Sequence, residues 1–305
     1  MSVSLYVSVI ICSLDGYRKG NVPRLLKQLA EQSLLEFEIL IIQGFAPCSK
    51  AHNEGALRAK GEILVFFDDD IQLGNGFVVE NLVKVINLNK GIGMVGASQL
   101  IPEDSTLFQK RCARELYRIE FPVVAKLMES DMATHVALAI KKQLYDEVGG
   151  EREELLRNDD VYLRSAVGQK NFKIVIAPDT WVYHPQPLKI TQLLKRQFNN
   201  GVAIAHDYKY FSEYIYYSPL DGDRLKFPQK SSFHLQIFRN LKIILSYLVR
   251  LRFLGLLSRL IMYLGFFWGF IHKKNWFKKW LIMSKGVEEK TLRYQKKSGS
   301  IIFVG

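Results

Sequence analysis

Three consecutive acids, Asp68, Asp69 and Asp70, directly follow an apolar run from Ile63 to Phe67. A short run of β-branched and aromatic residues is typical of a buried strand. Polar residues at the carboxyl end of such a strand lie where α/β proteins bind ligands. Carboxylate oxygens, with water and phosphate, are the ligands that Mg2+ and Mn2+ prefer. These strand-end acids therefore predict a divalent-metal and phosphate site, with an acidic surface loop as the plainer alternative.

Three other segments place polar side chains where predicted elements begin or end. The first predicted strand ends at Ser13 and Asp15, which suit contact with a ribose or base and equally suit capping of the next helix. Asp159 and Asp160, the helix acids, open a predicted helix, where acids often only stabilise the helix dipole. His184 ends another apolar segment and is a candidate metal or phosphate ligand if it reaches the same sheet edge.

Hydrophobic periodicity indicates alternating strands and helices over the first two thirds of the chain. The spacing predicts strands at 7–12, 38–42, 62–67, 93–97, 134–140 and 172–177, and helices at 22–32, 50–59, 77–86, 142–148 and 159–167. Alternation of this kind predicts a parallel sheet with right-handed crossovers, flanked by helices. The carboxyl ends of parallel strands then carry the polar residues to one edge.

Composition narrows the class of partner. The chain has 305 residues, 48% of them hydrophobic, which supports a proper core and argues against disorder. Its 42 Lys and Arg against 30 Asp and Glu give a formal charge of +12, which favours an anionic partner. After about residue 185 the cations are interleaved with apolar and aromatic residues, so we expect a lipid surface and no nucleic acid. Three scattered cysteines without metal-ligand spacing fit a reducing compartment.

The last third of the chain predicts helices rather than alternating elements. Residues 233–252 form an amphipathic pattern, and 253–271 are nineteen largely apolar residues with Arg259 as the single charge. A single membrane span would place the lysine-rich tail opposite a cytosolic first half, against the positive-inside tendency. We therefore expect a re-entrant or interfacial segment with both ends in the cytosol. The alternative is packing of these helices on the core or in a dimer.

Taken in chain order, these features resemble the family 2 glycosyltransferases with the GT-A fold, over roughly residues 5–205. The segment Ala-His-Asn-Glu-Gly-Ala, residues 51–56, is similar to the family's segment leading into the strand of its DxD motif. Val148-Gly149-Gly150 followed by Asp159-Asp160 is similar to its acceptor-side signature, with Asp159 standing where the family usually has Glu.

The resemblance implies a GT-A type, Rossmann-like and mostly parallel central sheet flanked by helices. It implies a catalytic domain over 1–210, and we assign 211–305 to a basic, hydrophobic, helical membrane-associating region. The implied activity is inverting transfer of a sugar from a nucleotide-sugar donor to a hydroxyl of a cell-envelope glycan or glycolipid, at the cytosolic face of the membrane. The Gln-x-x-Arg-Trp motif of processive synthases is absent near 195–198, which predicts transfer of a single sugar.

Carried over position by position, the resemblance also implies residue roles. Asp68 and Asp70 are the DxD pair and hold Mg2+ or Mn2+ against the donor diphosphate, with His184 as a third ligand. Asp160 is the general base for the acceptor hydroxyl, beside Asp159. The expected contacts to the donor nucleotide are Ser13, Asp15, Gln43, Asn53, Asp68 and Asp69. Gln43 stands where the family commonly has acids, but its amide is able to hydrogen-bond a base.

Two other classes remain open from sequence. A phosphatase of the haloacid dehalogenase type also has an Asp-x-Asp after an apolar strand, but here Gln72 replaces its usual Thr or Val. That motif also normally opens its domain, whereas here two strands precede it. A non-catalytic lipid-binding or nucleic-acid-binding protein with structural acids is the second alternative.

Overall fold

The structure is a computed structural model and describes residues 7–157, 159–216, 233–272, 289–297 and 300–304. Asn158 and the lysine-rich segment 273–288 lie outside the described residues. The strands are β1 Val7–Ser13, β2 Phe37–Gln43, β3 Ile63–Asp68, β4 Gln72–Leu73, β5 Ile92–Leu100, β6 Met128–Glu129, β7 Ala137–Lys141, β8 Lys173–Tyr183, β9 Lys290–Lys297 and β10 Ser300–Phe303. The helices are α1 Asn21–Ala30, α2 Cys48–Arg58, α3 Val78–Leu88, α4 Leu107–Glu115, α5 Lys142–Glu147, α6 Asp159–Gln169, α7 Ile190–Tyr210, α8 Phe233–Val249 and α9 Phe253–Ile271. The predicted α/β class is confirmed.

The described strands form one sheet in the order β10-β9-β2-β1-β3-β7-β5-β8-β4, with β6 paired to β8. The pairs β1/β2, β1/β3 and β5/β8 are parallel, as the alternation predicts. Both β3 and β5 run antiparallel to β7, so they are parallel to each other and to β8. The carboxyl ends of β1, β2, β3 and β8 therefore lie at one edge of the sheet.

Helices cover both faces of the sheet because successive strand residues point to opposite faces. On one face Val9 and Ile11 of β1 pack with Leu25 of α1 and Leu82 of α3. On the other face residues such as Ile10 pack with α2, α5 and α6. Each fully buried Leu, Ile or Val side chain contributes about 1.5–3 kcal/mol. These two apolar layers hold the sheet edge in place.

Gly55 explains how α2 comes close to the sheet. A Cβ on Gly55 would lie 2.5 Å from Cγ2 of Ile10 in β1, so only glycine allows this approach. The close approach brings His52 of α2 against Phe66 of β3 and the buried Glu151. The similarity of residues 51–56 to a known motif thus has a packing reason.

The final residues differ from the sequence prediction, which assigned them to the helical region. β9 pairs antiparallel with β2, and β10 pairs with β9. Arg293 of β9 donates to the buried carboxylate of Glu38 in β2 at 2.6 Å, and Lys296 donates to the carbonyl oxygen of Leu34 at 2.7 Å. The cations of this segment are therefore paired across a sheet edge rather than along a helix, which periodicity could not reveal.

The predicted apolar helix over 253–271 is present as α9. Among the described residues, α9 is the one helix that is both long enough and apolar enough to cross a membrane, judged by length and composition alone. It packs closely on α7, because Cβ atoms on Gly201 and Gly265 would lie 1.9 Å from Met262 O and 2.1 Å from Phe198 O. One face of α9 therefore packs against α7.

Candidate active site

The strand-end acids meet His184 at the sheet edge. β3 ends at Asp68, and β4 pairs Gln72 with Tyr183 of β8, which brings the turn carrying Asp70 beside His184. His184 Nε2 lies 3.4 Å from Asp70 Oδ1 and 3.9 Å from Asp68 Oδ2. The candidate ligand atoms of Asp68, Asp70 and His184 all lie within 4.8 Å of one another. Three residues far apart in the chain thus form one potential metal site.

The donor set and its charges fit a divalent ion. Two carboxylates and one imidazole, all partly exposed, leave open positions for water and phosphate, and the carboxylates suit Mn2+ or Mg2+. Burial opposes the charge on Asp70, but the hydrogen bond and charge of His184, with Arg18, hold the pKa of this carboxyl below its usual range. The pKa of His184 is raised, because Asp70 and Asp68 outweigh its burial. The site therefore attracts cations.

Asp69 differs from its two neighbours. It is buried, and burial raises the pKa of its carboxyl to about 6, although Ser13 and Arg18 act in the opposite direction. Arg18 Nε lies 3.5 Å from Asp69 Oδ1, and Arg18 Nη2 lies 3.3 Å from Asp70 Oδ2. Asp69 thus belongs with Ser13 and Arg18 rather than with the metal pair. The sequence interpretation did not include Arg18.

The predicted nucleoside contacts at the ends of β1 and β2 lie together. Ser13 and Gln43 are partners in the parallel register. A Cβ on Gly16, which has a φ of +67°, would lie 2.6 Å from Gln43 Oε1, so the loop after β1 rests on this amide. Asp15 is exposed, and its Oδ1 accepts the N–H groups of Tyr17 at 2.9 Å and Arg18 at 2.6 Å. Asp15 therefore closes the loop after β1 and does not cap the next helix, α1, which begins after Gly20 without a side-chain cap.

Asn53 holds a different part of the molecule. Its Nδ2 donates to Glu151 O at 2.9 Å and to Glu153 Oε1 at 3.0 Å. Its Oδ1 accepts from Tyr145 Oη at 2.7 Å and from Glu151 N at 3.0 Å. These bonds use both donors and both lone pairs of the amide. A contact with a nucleotide would have to replace one of them, so the structure gives Asn53 a role in positioning the loop before α6.

The helix acids open α6, as predicted, and the pKa values of their carboxyls are shifted in opposite directions. Arg164 Nη1 donates to Asp160 Oδ2 at 3.0 Å and to Ala133 O at 3.1 Å. Burial opposes ionisation of Asp160, but Arg164, His135 and Arg157 hold its pKa below the usual range. Burial, then Glu151 and Asp160, raise the pKa of Asp159 to about 6. Asp160 is therefore ionised over a wider pH range than Asp159, and its carboxylate is fixed in place by Arg164.

A buried ion-pair cluster that sequence reasoning missed lies beneath the helix acids. His52 Nδ1 is 3.0 Å from Glu151 Oε2, and His135 Nε2 is 2.5 Å from Glu151 Oε1. Burial opposes the charge on Glu151, but the two histidines lower its pKa to about 2. The imidazole rings stack with centroids 4.0 Å apart and an interplanar angle of 13°. Parallel rings direct their in-plane lone pairs along parallel lines, so this cluster suits ion pairing better than one shared metal ion.

Electrostatic contacts connect the two groups of acids. The pKa of Cys48 is raised, chiefly by desolvation of its thiol, and the carboxylates of Asp159 and Asp68 both add to this effect. On the opposite side, Arg196 of α7 feels both Arg157 and Asp70, while Arg157 acts on Asp160. The strand-end acids and the helix acids therefore face a common region. Arg196 borders this region and donates to Gln186 Oε1 at 3.1 Å.

The family comparison covers the residues that carry both groups of acids. A model of the glycosyltransferase like family matches residues 8–200. The chain is similar to the mannosyltransferase PcManGT from Pyrobaculum calidifontis in complex with GDP-Man and Mn2+, with a TM-score of 0.53 and 13% identity over 91% of this chain and 83% of that chain. TarS 1-349 of S. aureus gives a TM-score of 0.45 at 13% identity over 86% of this chain and 89% of that chain. None of the curated proteins matches.

Proposed function

Because the chain belongs to the glycosyltransferase like family and has the GT-A fold, we propose that it transfers a single sugar, with inversion, from a nucleotide-sugar donor to an acceptor hydroxyl. The observation that carries this proposal is that two kinds of acid lie within electrostatic reach of the same side chains. Asp68 and Asp70 meet His184 at the sheet edge, and Asp160 is held ionised across the same region. The first group suits a diphosphate held by a cation, and the second suits proton abstraction.

On the donor side, Asp68, Asp70 and His184 would hold Mn2+ or Mg2+. When bound, this ion supplies charge neutralisation for the diphosphate leaving group. An imidazole ligand favours Mn2+ over Mg2+, which prefers oxygen ligands and keeps its water. The similar mannosyltransferase was solved with GDP-Man and Mn2+, which supports a nucleotide-sugar donor here. Ser13, Gln43 and Asp69 border the end of β1 and β2, where the nucleoside would lie.

On the acceptor side, Asp160 accepts the proton of the acceptor hydroxyl while the hydroxyl oxygen forms a bond to the anomeric carbon of the donor sugar. The bond from that carbon to the diphosphate oxygen breaks on the opposite face, so one displacement inverts the anomeric centre. A double displacement would need a second carboxylate as nucleophile. We assign the base role to Asp160 rather than Asp159 because Asp160 stands at the second position of the acid pair, where the resemblance implies the base, and because Arg164 holds its carboxylate at 3.0 Å.

The C-terminal helices support a proposal for the acceptor and the location of the enzyme. The face of α8 and α9 away from the protein exposes many large apolar side chains, which are Leu241, Leu245, Leu248, Leu260, Leu264, Phe267, Trp268 and Ile271. The cations Lys242, Arg250 and Arg252 accompany them. Apolar faces with cations suit the surface of an anionic bilayer. We propose docking on the cytosolic face and a lipid-linked or cell-envelope glycan acceptor.

The phosphatase and non-catalytic alternatives lose their support, because the family match covers the segments that carry both groups of acids. The domain boundary near residue 210 remains a proposal. A chain cut there would also lose β9, which covers the edge of β2. Point substitutions therefore test the two regions more cleanly than truncation.

A screen of nucleotide-sugar donors with Mn2+ or Mg2+, read out as release of nucleoside diphosphate, tests the activity. We expect one donor to be hydrolysed slowly, with Asp160→Asn inactive and Asp146→Asn, an exposed acid on α5, unaffected. Absence of turnover with every donor and metal, or release of inorganic phosphate from simple phosphoesters, would contradict the proposal.

Flotation with anionic vesicles tests the docking. Leu264→Glu with Phe267→Glu should abolish recovery of the full chain with lipid, because two apolar anchors become charges. Leu57→Glu, at an equally exposed apolar residue of α2, is the matched control. Equal recovery of all three proteins would reject α9 as the docking surface.

A further inference from the structure

Arg18 is the one residue among those described that bridges Asp69 and Asp70 with ion pairs. Its Nε lies 3.5 Å from Asp69 Oδ1 and its Nη2 3.3 Å from Asp70 Oδ2. His184 faces the other oxygen of Asp70, Oδ1, at 3.4 Å. Asp70 is therefore shared between an imidazole and a guanidinium. The Arg18 side chain is 52% exposed, so it is free to move into solvent when another cation takes its place.

The loop that carries Arg18 is built to hold it there. Asp15 Oδ1 accepts the N–H groups of Tyr17 and Arg18, which closes a tight turn. Arg18 has a φ of 46° and Lys19 a φ of 56°, in the left-handed region that non-glycine residues rarely adopt. Such backbone persists only where surrounding contacts determine it, and it is concentrated at functional sites. The contacts here are the Asp15 cap and the ion pairs of Arg18.

We propose that Arg18 is the exchangeable counter-ion of the strand-end acids: it releases Asp70 when a divalent cation binds, and its guanidinium then pairs with the donor diphosphate. Two adjacent carboxylates without a cation repel each other, and Arg18 removes part of this repulsion. A cation bound by Asp70 and Asp68 weakens the attraction of these acids for Arg18 and brings a diphosphate to the same place. The planar guanidinium matches phosphate oxygens with two parallel donors. The second half of this proposal rests on the proposed function.

Binding of Mn2+ alone, measured by titration calorimetry on the full chain, tests the first half. Arg18→Gln removes the competing cation and should tighten Mn2+ binding about two- to fivefold, the range of an exposed ion pair. Lys19→Gln removes the same charge from the same loop and makes no ion pair in the part of the chain that the structure describes, so it should not change Mn2+ affinity. Unchanged or weaker binding by Arg18→Gln would overturn the exchange.

Binding of UDP and GDP at saturating Mn2+ tests the second half. Arg18→Gln should weaken binding of the nucleoside diphosphate that the wild type prefers, by about tenfold. Arg18→Lys should restore part of this loss, because it keeps the positive charge but lacks the two parallel donors of the guanidinium. Full affinity in Arg18→Gln would overturn the diphosphate contact alone. A wild-type protein that binds diphosphate but no Mn2+ would overturn the exchange together with the metal part of the proposed function. Failure of the base role would show only in Asp160 variants.

Discussion

On the side of the strand-end acids, Asp70 is paired with Arg18, whose side chain is 52% exposed, and with His184, whose side chain is 23% exposed. On the side of the helix acids, Asp160 is paired with Arg164, whose side chain is 2% exposed and is anchored to Ala133 O. The charges of the two groups of acids are thus paired in two different ways. Exposed partners allow the strand-end acids to exchange one cation for another. A buried partner holds the Asp160 carboxylate in one position and favours its ionised form, which suits the proposed role as a general base before proton transfer.

The largest effect should come from Asp160→Asn. It removes the proton acceptor and leaves the strand-end acids intact, so kcat for transfer should fall about 100- to 10,000-fold. The affinity for nucleoside diphosphate with Mn2+ should stay within about twofold of wild type. Steady-state kinetics and diphosphate titration measure the two quantities. Equal losses in both would show that the two groups of acids do not have separate roles.

Asp70→Asn reverses this pattern. It removes a carboxylate that faces both His184 and Arg18, so Mn2+ affinity should fall about tenfold or more. Diphosphate binding in the presence of Mn2+ should fall with it. Circular dichroism and Mn2+ titration without donor measure the fold and the metal site independently of turnover. Asp104→Asn, at an exposed acid elsewhere, is the control. Unchanged Mn2+ affinity would remove Asp70 from the ligand set.

Asp207 of α7 provides a further test of the comparison, because it holds the segment that leads into the helix acids. Its carboxylate is fully buried and accepts the N–H groups of Leu156 at 2.8 Å and Arg157 at 3.1 Å, in the segment just before α6. Asp207→Asn replaces an acceptor by a donor and should lower the free energy of unfolding by about 1–3 kcal/mol. It should lower kcat more than diphosphate affinity. Denaturant titration and kinetics measure these, with Glu154→Gln in the same segment as control. Equal loss of kcat and diphosphate affinity would contradict this role.

Much of this arrangement could be predicted from sequence, since strand periodicity and strand-end polarity are local properties. Residues 63–67 and the acids after them predict β3 and the edge position of Asp68, and the apolar run 253–271 coincides with α9. The convergence of His184 with Asp70 depends on the antiparallel β4/β8 pair of only two residues, which leaves no periodic signal.

The residues that sequence reasoning missed, or placed differently, depend on non-local partners. Arg18 looks like an ordinary surface cation until the fold places it over Asp69 and Asp70. Glu151 lies within a predicted loop and becomes a buried ion only because His52 and His135 arrive from α2 and from the segment before β7. Arg293 of strand β9 pairs with Glu38, which lies 255 residues earlier in the chain. Pairing of charges across the chain carries no local pattern.

The smallest effect, and the one most specific to the helix acids, is a pH dependence of stability from Asp159. Its pKa is raised from 3.8 to about 6 in the folded protein, so folding favours the protonated carboxyl. The stability that this gives is fully present below about pH 4 and is lost as pH rises through about 6. Asp159→Asn should therefore change stability little below about pH 4 and raise the free energy of unfolding by about 1–2 kcal/mol at pH 8. Denaturant titrations from about pH 3.5 to about pH 8 measure this difference, with Asp146→Asn, at an exposed acid of α5, as the control. A flat difference for Asp159→Asn would show that Asp159 is ionised as freely as an exposed acid, and that only Asp160 is under the influence of the buried cluster.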